Sequence, residues 1–180
     1  VNFTGSVSKD KLFFLDFVGG ATIDRVCSGI RHACQHDGVK FVVIDYLQKI
    51  RPVTKHEKRT YEVADVSGLL KACALDTGAA FVTLAQLSRE PDKDKGRVPR
   101  LSDLADSSQI ERDADTVLLI HRPRTDDDPH GENAKLVVAK QRDGETGIIN
   151  VHFDGRYCLF SNRPQPAMAC AIPPSRTHAD

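Results

Sequence analysis

The feature that most constrains the fold is a short apolar run, FVVI at 41–44, that ends in Asp45. The run is too short for a helix and has no polar alternation, which is typical of a strand buried on both faces of a parallel sheet. Open sheets of this kind hold ligands at the carboxyl ends of their strands. A carboxylate there can hold the Mg²⁺ of a nucleotide, directly or through water, although a turn-forming aspartate explains the pattern equally well.

The residues before this run predict a strand followed by a helix. The apolar run from Lys11 to Val18 is typical of a strand, and Thr22 can cap the helix that follows. The helix is indicated by apolar residues at helical spacing, namely Ile23, Val26 and Ile30. Together with the strand before Asp45 these elements form a βαβ unit, so we expect a parallel sheet and an α/β fold.

A second helix and a further strand follow. Apolar residues recur at helical spacing between Thr60 and Thr77, and Gly78 can end the helix. They are Val63, Val66, Leu70 and Cys73. The next apolar run, 79–85, predicts another buried strand, and it ends in Gln86. A polar residue therefore stands again at the carboxyl edge of the predicted sheet.

The second half of the chain predicts a charged loop, a short helix and several strands. The loop covers 88–100 and the helix lies within 101–113, while apolar runs at 116–121, 134–139, 148–153 and 157–160 predict strands. The last of these alternate as antiparallel strands do. We expect one domain over 1–162. The proline-containing tail, 163–180, has little apolar periodicity and is expected to be disordered.

Composition limits the classes of function. Lys+Arg and Asp+Glu each number 25, so the net charge is zero and nucleic-acid binding would need a local basic patch. The five cysteines show no zinc-ligand spacing and favour reduced thiols in a cytosolic protein. We expect a cytoplasmic protein because no apolar run approaches the ~20 residues of a membrane span. The sequence begins at Val1 instead of Met, which suggests a fragment or a processed product.

Longer stretches of sequence resemble the C-terminal RecA-like motor domain of DnaB-family replicative helicases. In order they are VVIDYLQKIRP, TYEVADVSGLLKACALDTGAAFVTLAQLSRE, RVPRLSDLADSSQIERDADTVLLIHR and AKLVVAKQRDGETGIINVHF. The resemblance implies a RecA-like, mostly parallel sheet flanked by helices, with an antiparallel hairpin at its C-terminal edge. It also implies ATP and Mg²⁺ as cofactors, single-stranded DNA as ligand, a ring that is hexameric in the family, and a primase and a helicase loader as partners in a bacterial or phage-infected cell.

The same resemblance assigns roles to residues at the nucleotide. Asp45 matches the Walker B acid that orients Mg²⁺, here through water, and Gln86 in LAQLSR matches the glutamine that senses the γ-phosphate. Lys140 and Arg142 in AKQRDG match the basic pair that reaches the nucleotide of a neighbouring subunit. Without their flanking sequence, an ordinary strand-end glutamine and a solvated basic turn would explain these residues.

Residues 100–115 match the loop that holds single-stranded DNA in the central channel of the family. The chain has Ala105-Asp106-Ser107-Ser108 where the family usually has Arg-Glu-Ser-Gly. This change removes one phosphate-binding arginine and one glycine that permits close approach. Backbone amides and the two serines can still contact DNA, and the missing charge can come from basic residues nearby, namely Arg89, Lys93, Lys95, Arg97 and Arg100.

The P-loop motif of these NTPases is missing. No GxxxxGKS/T stretch is present in the 180 residues, and the resemblance predicts that the general-base glutamate is missing as well. Two hypotheses follow. The chain is the latter part of an ATP-driven ring helicase, or it is a truncated module that cannot hydrolyse ATP and lends Lys140 and Arg142 to a complete partner. A recombinase-like or clock-like relative of the same fold is a third interpretation, which the LSDL, DAD and AKQRDG stretches disfavour.

Overall fold

The structure is a computed structural model that describes residues 12–17, 20–88, 97–104 and 107–162. Several of the predictions above concern residues outside these ranges, namely Arg89, Ala105, Asp106 and the tail 163–180. The helices are α1 (Ile23–His36), α2 (Arg59–Thr77) and α3 (Ser107–Asp113). The strands are β1 (Phe41–Ile44), β2 (Ala80–Thr83), β3 (Thr116–His121), β4 (Asn133–Gln141), β5 (Gly147–Asp154) and β6 (Leu159–Ser161).

The strands form two sheets of different kinds. Strand β1 pairs with β2 in parallel, from Phe41 beside Ala80 to Ile44 beside Thr83. Strands β3, β4, β5 and β6 form an antiparallel sheet in chain order. The predicted α/β fold with a parallel sheet and a C-terminal antiparallel part is therefore confirmed, and the antiparallel part is a complete four-stranded meander.

Helices α1 and α2 begin and end close to where their apolar spacing predicts. Every residue of the two predicted apolar stripes is buried, including Ile23, Val66 and Cys73, which are almost completely inaccessible to water. These side chains form one hydrophobic core together with Ile44. Gly78 ends α2 with a φ of 63°, a backbone conformation that residues with a side chain rarely adopt.

The strand predicted over Lys11–Val18 is wrong for the residues that the structure describes. Residues 12–17 form no strand, and the exposed fractions of Leu12 and Phe14 are 52% and 85%. A strand needs a hydrogen-bonded neighbour, and neither β1 nor β2 pairs with this segment. Apolar character alone does not show whether a neighbouring strand is present, so the absence of one among the described residues could not be predicted from the sequence.

The prediction that β1 is buried on both faces is also wrong. Ile44 is buried in the core of α1 and α2, whereas Phe41 and Val43 are 61% and 58% exposed. The same alternation continues in β2, where Val82 is 47% exposed. A run of apolar residues predicts two covered faces, but within the described residues the helices pack on only one of them.

A β-bulge interrupts the pairing of β3 with β4. Val117 is paired with Lys140 and Leu118 with Val138, so that Ala139 is left without a partner on β3. A regular ladder would instead place Lys140 opposite Thr116. Because paired residues lie on the same face of a sheet, the bulge brings Lys140 to the face of the buried Val117.

Candidate functional site

Asp45 and Gln86 lie at the same edge of the parallel sheet. Asp45 follows β1 and Gln86 lies three residues beyond β2, and the two strands run in the same direction. The connection continues past the strands, because Leu47 donates its backbone N–H to the carbonyl of Leu84 at 2.9 Å. Both side chains are exposed. The structure therefore brings the predicted metal-orienting acid and the predicted sensor to one carboxyl edge.

Gln48 connects the two strand ends and was given no role from the sequence. Its side-chain Oε1 accepts the backbone N–H of Gln86 at 3.3 Å, and its carbonyl accepts the guanidinium of Arg59 at 2.5 Å. Its Nε2 is buried and has no hydrogen-bond partner among the described residues. Buried donors are almost always paired. An unpaired amide at this edge is consistent with a polar ligand there. The burial of this amide depends on the fold and could not be predicted from the sequence.

The surroundings of Asp45 suit a metal ion that is held by one carboxylate, and not one that is held entirely by protein side chains. Asp45 lines an open cleft of about 280 Å³, together with Asp16 and Lys49. No cluster of three or more His, Cys, Asp or Glu side chains occurs in the part of the chain that the structure describes. Mg²⁺ commonly takes one or two carboxylates, with waters and phosphates filling its other positions. Asp45 therefore fits a Mg²⁺ that is held mainly by water and a phosphate group.

The segment after Gln86 is hydrogen-bonded to the first part of the predicted DNA loop, which covers 100–115. Leu87 forms an isolated antiparallel bridge with Leu104, and the backbone N–H of Ser88 donates to the carbonyl of Asp103 at 2.7 Å. Residues 101–103 form a short 3-10 turn. The segment that follows the predicted sensor, Gln86, and the start of the predicted DNA loop are thus connected by backbone hydrogen bonds, which do not depend on side-chain identity.

Asp103 organises the basic residues of this turn. Its carboxylate accepts the guanidinium of Arg97 at 2.9 Å and the backbone N–H of Arg100 at 2.7 Å. The hydrogen bond from Arg97 is the main reason that the pKa of Asp103 lies below its usual value. Arg97 is therefore held by a buried partner, whereas Arg100 is exposed at the start of the predicted loop.

Two of the predicted DNA-binding residues that the structure describes lie at the start of α3. Ser107 begins this helix, and Ser108 is exposed in its first turn. Arg100 is exposed at the start of the predicted loop. We find no contact that tests DNA binding by these residues, so this role stays a prediction.

Lys140 contacts the other end of α3. Its ammonium donates to the carbonyl of Ala114 at 2.8 Å and also to the carbonyl of Glu111. These carbonyls belong to the last turn of the helix and the residue after it, where partial negative charge accumulates. The bulge in β4 makes this contact possible, because it brings Lys140 to the face of the sheet on which α3 packs.

Arg142 lies beside the same helix end but remains accessible. Its Nη1 forms an ion pair with Oδ1 of Asp115 at 2.7 Å, and its backbone N–H donates to the carbonyl of Asp115 at 2.9 Å. The side chains of both residues are 54% exposed. Lys71 of α2 holds the other oxygen, Oδ2, at 2.6 Å. Asp115 and Lys71 were not singled out from the sequence, because nothing in their spacing shows that they meet.

A known family covers all of these residues. The family model described as "DnaB-like helicase C terminal domain" matches residues 2–162. This range includes every predicted site residue. Among the described residues, no helix has both the length and the apolar character needed to span a bilayer.

Related proteins agree with this match. The chain is 36% identical over 156 residues to a replicative DNA helicase DnaB of Leifsonia xyli subsp. xyli, covering 86% of this chain and 34% of that protein. It is 35% identical to its counterpart in Mycobacterium leprae, covering 83% of this chain and 25% of that protein. The chain thus spans about a quarter to a third of these curated relatives.

Two solved structures share the fold. A DnaB-like replicative helicase, studied with its interactions with primase, superposes with a TM-score of 0.70 at 30% identity and covers 81% of this chain and 36% of its own. A second solved structure, an ATPase domain, gives the same score and identity and the same coverage of this chain, and 52% of its own chain is covered. The match over residues 2–162 and these relatives show that the chain belongs to the DnaB-like helicase C-terminal domain family.

Proposed function

We propose that this chain is the latter part of the motor domain of an ATP-dependent, ring-shaped replicative DNA helicase. The observation that carries the proposal is the placement of Asp45 and Gln86 at one carboxyl edge of a parallel sheet, in a chain of the DnaB-like family. Such an edge is where α/β sheets bind nucleotides. In this proposal the motor translocates on single-stranded DNA and unwinds the duplex during replication.

At the nucleotide, Asp45 and Gln86 have complementary roles. Mg²⁺ would neutralise charge on the β- and γ-phosphates, and Asp45 would orient it through bound water. Gln86 would donate its amide N–H to the γ-phosphate or to the attacking water without competing for the metal. Gln48 supports this arrangement, because it holds the backbone of Gln86 in place at 3.3 Å.

Arg142 supplies positive charge to a neighbouring subunit. Its contacts and those of Lys140, among the described residues, are with the end of α3 and with Asp115, and none is with β1, β2 or Gln86. A cation that acts on a phosphate from this position would act in trans. We assign the direct contact to the exposed Arg142 and the support of α3 to Lys140, which is engaged within its own subunit.

This division of the site between subunits requires a ring. A ring places the Arg142 of one subunit at the Asp45 edge of the next, and we propose the hexamer of the family. Single-stranded DNA would pass through the centre beside Arg100 and the start of α3. The study of a DnaB-like relative with primase supports a primase partner. A helicase loader and a cytoplasmic location follow from the role in bacterial replication.

The test uses the full-length protein that carries this chain, assembled as a ring. Arg142→Ala should lower the kcat of ATP hydrolysis by roughly 10³-fold or more, while a fluorescent ATP analogue still binds, because the cation acts on the transition state. Arg31→Ala is the matched control, since Arg31 is also half-exposed and paired with an aspartate, Asp76, at 3.0 Å. Its kcat should not change.

Mixed rings provide the decisive result. If Arg142 acts on a neighbour, mixing Arg142→Ala subunits with Asp45→Asn subunits should restore hydrolysis above that of either variant ring, because some subunit boundaries then combine an intact Asp45 with an intact Arg142. No gain on mixing, or an Arg142→Ala ring that hydrolyses ATP normally, would overturn the proposal.

A second candidate is a truncated module that assembles with a complete helicase. The chain carries Lys140 and Arg142 but no GxxxxGKS/T stretch, and a module that lends these two cations to a complete partner would show the same combination. In both cases we expect the purified 180-residue chain to show no ATPase activity by itself. The two differ when the chain is added to rings of a complete family member, because only the module should join those rings and alter their turnover in an Arg142-dependent way. The coding sequence upstream of Val1 separates them as well: an in-frame GKT or GKS motif supports the helicase.

A further inference from the structure

Asp115 lies between two cations that come from different elements. Lys71 of α2 holds Oδ2 at 2.6 Å, and Arg142, just beyond β4, holds Oδ1 at 2.7 Å. The hydrogen bond from Lys71 is the main cause of a lowered pKa at Asp115, so the carboxylate is ionised at neutral pH. Asp115 therefore bridges α2 and the segment that carries Arg142.

This arrangement contributes little to stability. The side chains of Asp115 and Arg142 are both 54% exposed, and exposed ion pairs add little to stability because water and salt screen them. The pair instead fixes the position of the Arg142 side chain. Arg142 is held twice by the same residue, because its backbone N–H also donates to the carbonyl of Asp115 at 2.9 Å. A long side chain held at both its backbone and its tip keeps few of its rotamers.

The contact leaves the guanidinium able to bind a phosphate. Asp115 engages Nη1, and a guanidinium has further N–H donors that can bind phosphate oxygens. The charge is also preserved, because Lys71 neutralises the carboxylate. One lysine, one aspartate and one arginine together carry one net positive charge, so the group still attracts an anion.

We propose that Asp115 is a positioning residue that orients Arg142 toward the terminal phosphate of a nucleoside triphosphate bound to the neighbouring subunit. The inference rests on the proposed function, since it needs Arg142 to act in trans. Lys71 is the counter-ion that lets Asp115 hold Arg142 without cancelling its charge. Misplacement of a catalytic group by about 1 Å can cost roughly 10²-fold in rate, so the orientation of Arg142 is a quantity that kinetics can measure.

The experiment measures hydrolysis by rings of the full-length protein. Asp115→Asn keeps the shape of the side chain and removes its charge, and it should lower kcat by roughly 10- to 100-fold with KM for ATP unchanged. Asp115→Glu restores the charge with a longer side chain and should recover part of kcat. The matched control is Asp76→Asn, which removes an exposed aspartate paired with Arg31 at a different place on α2 and should leave kcat unchanged.

A double-mutant cycle separates positioning from a structural role. In the Arg142→Ala background, Asp115→Asn should cause no further loss, because there is no guanidinium left to orient. Single-turnover hydrolysis of radiolabelled ATP resolves these slow rates. An equal loss in both backgrounds would overturn the inference. So would an unchanged kcat for Asp115→Asn in rings where Arg142→Ala is inactive, and in that case the proposed function would still stand.

Assembly is checked first, by thermal unfolding and by the size of the ring. If Asp115→Asn prevents the ring from forming, Asp115→Glu decides the question: a reduced kcat with unchanged KM supports positioning, and a wild-type kcat contradicts it. Normal hydrolysis by Arg142→Ala would instead reject the proposed function itself, whatever Asp115 does.

Discussion

The backbone N–H of Ser88 donates to the carbonyl of Asp103 at 2.7 Å, so the chain two residues after Gln86 is hydrogen-bonded to the turn at the start of the predicted DNA loop. The adjacent bridge between Leu87 and Leu104 strengthens this connection. We propose that Gln86 moves when the γ-phosphate is lost, and this connection would carry the movement to the loop. The connection consists of backbone hydrogen bonds, while the proposed contact with the nucleotide depends on the Gln86 side chain.

Gln86→Ala should therefore weaken the coupling between ATP turnover and unwinding in the full-length ring. The variant keeps the backbone connection to the loop but loses the amide that we propose responds to the phosphate. We expect fewer base pairs unwound per ATP hydrolysed, measured by parallel unwinding and phosphate-release assays. Gln35→Ala, which removes an exposed glutamine of α1, should leave this ratio unchanged. Unchanged unwinding per ATP in Gln86→Ala would rule out the sensor role.

Asp45→Asn should raise the Mg²⁺ concentration needed for half-maximal hydrolysis and lower the maximal rate. Losing a residue that orients a metal through its waters typically costs about 10- to 100-fold in metal affinity or activity. A Mg²⁺ titration of ATPase activity in the full-length ring measures both quantities. Asp37→Asn removes an exposed aspartate at the end of α1 and is the control. The same Mg²⁺ dependence in Asp45→Asn and wild type would contradict the role of Asp45.

Asp103→Asn should destabilise the 180-residue chain by about 1.5 to 3 kcal/mol at pH 7, the usual value of a hydrogen bond to a charged group. Its pKa is lowered in the folded chain, so its contribution is present above the usual carboxyl value of 3.8 and is lost as the pH falls through the lower folded value. Urea unfolding should show the gap between wild type and variant closing below about pH 4.

The exposed pair of Arg31 and Asp76 provides the comparison for this measurement. Asp76→Asn should change stability by no more than about 1 kcal/mol at pH 7. A gap for Asp103→Asn that widens toward low pH would contradict the assigned pairing with Arg97.

Leu70→Ala should lower the free energy of unfolding by about 2 to 5 kcal/mol, because Leu70 is buried between α1 and α2. Leu75 lies on the same helix and is 71% exposed. Leu75→Ala should change stability by less than about 0.5 kcal/mol. Urea unfolding of the 180-residue chain compares the two, and equal effects would show that the two helix faces are wrongly assigned.

Local sequence predicted the helices and the antiparallel strands well, for identifiable reasons. Each stripe in α1 and α2 is specified by residues a few positions apart, and Gly78 marks the end of α2 by its own backbone freedom. Asp45 and Gln86 could be placed at one edge because parallel strands share a direction. The helix boundaries depend on residues that are neighbours in sequence, and the shared edge of Asp45 and Gln86 follows from the parallel strand direction that the βαβ pattern predicts.

What the sequence could not predict depends on partners far along the chain. Distant elements decide whether residues 12–17 pair in a sheet and whether Phe41 is covered. The apolar run itself does not show which elements will pack against it. The pairing of Asp115 with Lys71 joins residues 44 positions apart. The bulge at Ala139 changes the direction of Lys140, and no glycine or proline at this position indicates a bulge.

The shortness of α3 has a consequence for any insertion or deletion in this region. The helix spans seven residues, or about 10 Å, which is too short for a gradual bend to absorb a change at one end. One added residue would turn everything that follows by about 100° about the helix axis. The direction of Asp115 relative to Ser108 therefore depends on the number of residues between them. We expect natural variation in this region to occur by substitution and not by insertion or deletion.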